Sequence, residues 1–168
     1  FAGGDGKELC ATDHPTLAGT FANELGTAAE LNETSLEQSL IDIAALTDER
    51  GLKIAAQGTK LIIPSALQFT ADRLMNSAGR VGTADNDINA IRNMNMISGG
   101  YVVNNYLTAA KKFFIMTDVP NGLKHFNRSP IKTSMEGDFD TGNVRYKARE
   151  RYVFGFSDPR GIFGSNAT

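Results

Sequence analysis

The sequence predicts an α+β protein with a mixed α/β domain over residues 34–118 and a strand-rich, elongated domain over 119–157. Three observations carry this prediction. Helix, strand and helix patterns follow one another closely within 34–77, as in a small layered unit. Two apolar runs, "MISGGYVVNNYL" and "FFIMTDV", then read as strands. Finally, "VRYKARERYVFGF" alternates apolar and cationic residues from Val144 to Phe156, the period-two signature of a half-buried strand. At about 3.3 Å per residue it would reach roughly 40 Å, far beyond the usual strand.

Residues 1–33 read as a loop-rich, weakly structured lead-in, because "GGDGKEL" and "DHPTLAG" are punctuated by turn formers. Thr34-Ser35-Leu36-Glu37 fits a capping box, with Thr34 as the cap and Glu37 reaching back. Leu36, Leu40, Ile43, Ala44 and Thr47 continue it as one apolar stripe. "DERG" is expected to close this helix, with Gly51 at the left-handed position past its end. "TKLIIP" reads as a short buried strand stopping at Pro64. "SALQFTADRLMNS" reads as a second helix, with Ala66, Leu67, Ala71, Leu74 and Met75 on one side. "AGRVGTADND" is expected as an exposed loop and "TAAKK" as a polar connection. "VPNG" is a β-turn with Pro120 second and Gly122 fourth. "LKHFNRSPIKTSME" then runs extended into the acidic turn "EGDFDTGN" and the long strand. "SDPRG" reads as a type I turn from Asp158 to Gly161, where Pro159, having no amide hydrogen, ends the ladder and opens a C-terminal tail over 158–168.

Composition excludes several classes. The chain has 168 residues and a net charge of −2, whereas a dedicated nucleic-acid binder is usually clearly basic. Any basic function is therefore local. Cys10 is the only cysteine, so no internal disulfide forms, which suits a reducing compartment. No apolar run approaches a membrane span, and no secretory signal is recognisable. Because the chain opens on Phe1, it is expected to be part of a longer product.

Catalytic candidates are sparse. Cys10 and His14, with Asp13 adjacent, could form a thiol–imidazole pair. The plainer reading is a buried thiol and an ordinary histidine, since no nucleophile elbow accompanies them. His14 and His125 are the only histidines, and no pair has metal-ligand spacing, so no metal, cofactor or enzymatic activity is expected. "AGRVGT" lacks the ending of a phosphate loop, and Asp85 and Asp87 do not complete a calcium loop. Asn32-Glu33-Thr34 and Asn166-Ala167-Thr168 match the glycosylation acceptor pattern by chance.

The cationic stripe is the strongest site signal. Arg145, Lys147, Arg149 and Arg151 share one strand face, repel one another and need anions. Solvent ions, nucleic-acid phosphates or carboxylates of a neighbouring element or chain could supply them. The acidic turn, with Glu136, Asp138 and Asp140, reaches only one end of the stripe within one molecule, which favours a second subunit. These seven residues form the expected subunit interface.

"RSPIKTSMEGDFDTGNVRYKARERYVFGFSDPRGIFGS" resembles the C-terminal part of tailed-phage (Caudoviricetes) major capsid proteins of the HK97 fold. The shared order is an extended segment, an acidic turn with Asp138-Phe139, a long strand carrying Glu150-Arg151, an aromatic stretch and a proline turn. "GTKLIIPSALQFTADRLMNS" is similar to that family's strand–Pro–helix unit in the axial domain, and "ELCATDHPTL" to a segment before it in one branch. The resemblance covers most of residues 7–165. It implies a structural virion protein with residues 34–118 as an axial-type domain and 119–157 as peripheral-domain strands. It further implies self-assembly into hexamers and pentamers of an icosahedral shell around dsDNA, in the host bacterial cytoplasm. Scaffold, portal and decoration proteins would be further partners, with no membrane. The family's N-terminal arm, extended loop and spine helix would precede Phe1, and no cross-linking residues are identified. A nucleic-acid-binding module acting through the basic strand face is the alternative.

Overall fold

A computed structural model describes residues 2–80 and 87–167. Strands β1 (His14–Thr16) and β2 (Gly19–Phe21) form a small antiparallel hairpin. Helix α1 (Glu33–Ala44), strand β3 (Gly58–Ile63) and helix α2 (Gln68–Asn76) follow, then the short helix α3 (Ala90–Asn93). Strands β4 (Tyr101–Val103), β5 (Phe114–Thr117) and β8 (Ile162–Gly164) join β3 in a four-stranded sheet of order β4-β3-β5-β8, in which only β3 and β4 run parallel. Between β5 and β8 the chain makes a separate two-stranded ribbon, β6 (Leu123–Gly137) and β7 (Val144–Phe156).

The helices and the four-stranded sheet share one core. Leu36, Leu40 and Ile43 of α1, Ala71 and Leu74 of α2, Leu61 and Ile63 of β3, and Ile115 and Phe163 of the antiparallel strands are buried together. The apolar periodicity of α1 is thus a burial pattern, but its ends differ from expectation. The cap is Asn32, not Thr34: Asn32 Oδ1 accepts the Ser35 amide at 2.8 Å, and Ser35 Oγ accepts the Asn32 amide at 3.0 Å. Asn caps better than Thr, and starting there places buried Leu31 and Leu36 at the two positions of a hydrophobic staple. The helix also ends at Ala44, ahead of "DERG". Asp48 Oδ1 accepts the amides of Arg50 and Leu52 instead, and Gly51 takes a φ of 84° in that turn rather than capping the helix. Ala44 is exposed.

One other expectation is corrected. The apolar run 96–107 forms strand only over Tyr101–Val103, because Gly99 is pressed against the Thr59 carbonyl and Gly100 sits at φ 64°. Residues 2–32 are loop-rich apart from β1 and β2, and they pack around buried His14, Phe21, Asn23, Leu25 and Leu31. After the turn at Pro159–Gly161, in which the Gly161 amide donates to the Asp158 carbonyl at 3.2 Å, the chain enters the sheet as β8. The second helix is close to expectation, with a 3-10 turn over Ser65–Leu67 leading into α2. At "VPNG", Asn121 has φ 63°, the positive value a type II turn needs at its third position. No described helix is long and apolar enough to cross a membrane.

Candidate functional site

The ribbon's register sorts its side chains into two faces. Arg145 lies opposite Glu136, Lys147 opposite Ser134, Arg149 opposite Lys132 and Arg151 opposite Ser129. Partners directly opposite in an antiparallel pair share a face. Lys132 therefore joins the four expected cations, a contribution that spacing along β7 could not reveal. The other face carries Tyr146 opposite Met135, Tyr152 opposite Asn127 and Phe154 opposite His125. His125, Tyr152 and Phe154 form a ring cluster with centroids 4.9 to 5.5 Å apart. The ladder is irregular between Asn127 and Lys132, where Pro130, without an amide hydrogen, is tolerated.

The expectation of a half-buried strand is corrected here. Every residue from Val144 to Phe154 is exposed, including Tyr146 at 80% and Phe154 at 66%. A two-stranded ribbon has no second layer, so alternation has produced a greasy face that nothing in the described chain covers. Such a hairpin is at best marginal in water by itself.

The acidic turn meets the stripe only at its tip. Asp138 Oδ2 lies 3.9 Å from Arg145, the long limit of an ion pair. Asp138 is mainly occupied with the turn, and hydrogen bonds from the Thr141 hydroxyl and then the Asp140 amide hold its carboxyl below the ordinary range. Among the described residues, Lys147, Arg149 and Arg151 have no ion-pair partner. Phe139, at the apex, is fully exposed. Residues 123–156 hold seven cations against four carboxylates, a net +3, which leaves −5 on the rest of a chain whose total is −2.

The Cys10–His14 pair is not assembled. His14 is fully buried with Nδ1 2.6 Å from Asp5 and Nε2 3.1 Å from Asn23 Oδ1, so neither nitrogen serves the thiol. Burial, reinforced by the Glu24 charge and opposed by Lys112, pushes the Cys10 thiol up to about 12. That leaves roughly a thousandfold less thiolate than an ordinary cysteine. Iodoacetamide is accordingly expected to label Cys10 slowly in the folded chain and rapidly in urea, followed by mass spectrometry. Fast native labelling would revive a nucleophile. Cys10 instead lines a cleft of about 640 Å³ at the ribbon's base with Leu9, Phe114, Leu123 and Phe156. Asn32 spends its side chain as a helix cap. Part of "AGRVGTADND", with Asp85, and Thr168 of the second acceptor triplet lie outside the described residues.

Residues 2–165 match the family profile described as phage capsid protein. Among solved structures, the chain is similar to a virus-like particle from Pyrococcus furiosus, at 12% identity and a TM-score of 0.48. The match covers 84% of this chain and 55% of that one, so the chain spans about half the length of that relative. No curated protein matches it.

Proposed function

The chain belongs to the phage capsid protein family, and from that premise we propose that it is the C-terminal part of a major capsid protein that assembles an icosahedral, HK97-like shell around phage dsDNA. Residues 34–118 serve as the axial-type domain and 119–157 as peripheral-domain strands. The ribbon is the observation that supports this reading. Strands of 15 and 13 residues stand with one apolar and one cationic face uncovered, a costly surface for a monomer and a ready one for assembly. Glu136, Asp138, Asp140, Arg145, Lys147, Arg149 and Arg151 contact neighbouring copies in hexamers and pentamers, and the segregation of +3 on the ribbon from −5 elsewhere suits a heterologous contact between copies. The site is structural, not enzymatic. Scaffold, portal and decoration proteins are further partners in the host cytoplasm.

The whole protein is expected to sediment as large particles and to show closed shells by negative-stain microscopy. Monomers alone, with or without a scaffold, would overturn the reading. A nucleic-acid role for the stripe is favoured by one observation, the addition of Lys132 beside Arg149. DNA retention by unassembled subunits that falls steeply with salt would support it.

A further inference from the structure

His14 is a buried histidine whose two ring nitrogens both face oxygen atoms. Nδ1 meets Asp5 Oδ2 and Nε2 meets Asn23 Oδ1. The identity of the Asn23 atom follows from its other bonds. Asn23 Nδ2 lies 2.7, 2.8 and 3.2 Å from the carbonyls of Leu9, Pro159 and Ile162, which share its two hydrogens, so the remaining atom is the oxygen, which also accepts the Ala11 amide at 2.8 Å. That oxygen has no proton to give. Asp5 is likewise an acceptor: burial works against its charge, but hydrogen bonds from His14 and the Lys7 amide hold its carboxyl below the ordinary range. A neutral imidazole has one donor, and two acceptors require two.

We propose that His14 carries protons on both ring nitrogens in the folded chain and acts as a proton-dependent clasp. One N–H holds the N-terminal segment through Asp5. The other holds Asn23, which fixes the 159–162 turn that leads into β8. Loss of either proton leaves two oxygen-facing sites with one donor, and the clasp opens on one side.

The surroundings balance the charge. On its own segment, Asp5 supplies the negative partner, while Lys7 and Asp13 pair with each other at the surface. From β2, Phe21 stacks on the ring at 5.0 Å. From the 159–161 turn, the Arg160 guanidinium lies 4.1 Å over the same Phe21 and opposes a second cation, but Glu49 and Asp158 engage it at 3.1 and 3.3 Å.

Histidine-labelled full chain tests this by nitrogen NMR, with exposed His125 as internal reference. At about pH 6, both His14 nitrogens are expected to show bound protons. Asp5→Asn, which keeps an oxygen but removes the charge, is expected to weaken proton binding at His14 by about tenfold or more. Amide exchange at Asn23 and Gly164 should quicken beyond its intrinsic pH dependence once the proton leaves. An unprotonated His14 nitrogen in the folded chain at about pH 6, or an unchanged titration in Asp5→Asn, overturns the clasp. Both measurements read single subunits, so they stand apart from the capsid reading.

Discussion

Arg149→Glu combined with Arg151→Glu is expected to abolish shell formation while leaving the far-ultraviolet circular dichroism of the subunit unchanged. Both arginines are exposed and unpaired among the described residues, so the fold loses no internal ion pair. Arg149 sits directly opposite Lys132, a like-charge pair that destabilises the ribbon. Glutamate there would face a cation instead, worth about 0.2–1 kcal/mol in favour of the subunit. A variant that folds as well or better yet does not assemble localises the effect to contacts between copies. A shell repeats each contact many times, so a modest loss per contact removes the particle. Sedimentation velocity and negative-stain microscopy read the outcome, and normal shells would exclude the stripe from the interface.

Asn23→Leu is expected to cost about 3–5 kcal/mol of subunit stability, measured by urea unfolding. Leucine matches asparagine closely in shape, so the loss isolates hydrogen bonding from packing. Asn23 is fully buried and satisfies the Ala11 amide, three carbonyls and the His14 ring. Its removal leaves the buried His14 ring and Ile162 carbonyl without this partner, each at about 1–3 kcal/mol before relaxation, and the part-buried Ala11, Leu9 and Pro159 groups at less. Asn127→Leu on the exposed ribbon is the control, expected to stay within about 0.5 kcal/mol. Equal effects at the two positions would mean that the hub is not what joins the chain's two ends.

Much of the candidate site was legible. The acidic turn and the cationic stripe stand where the alternation from Val144 placed them, and β7 has the bounds its sequence implied. Lys132 was missed because its membership of the stripe depends on register, which passes through an irregular stretch around Pro130. The start of α1 was misplaced because Thr34 and Asn32 both satisfy local capping rules, and burial of Leu31 decides between them.

By itself the sequence determined helices α1 and α2, strands β3 and β5, the length of the ribbon and the chemical polarity of its two faces. Side-chain alternation and helical periodicity are properties of a few neighbouring residues, and both are readable without a fold. Only the tertiary structure decided that the ribbon's apolar face stays uncovered, and that residues 2–33 and 158–167 share one core with the sheet. Asn23 reaches the carbonyls of Pro159 and Ile162 across 136 and 139 positions. A hydrogen bond over that separation depends on how the whole chain folds back on itself, and no local pattern carries it.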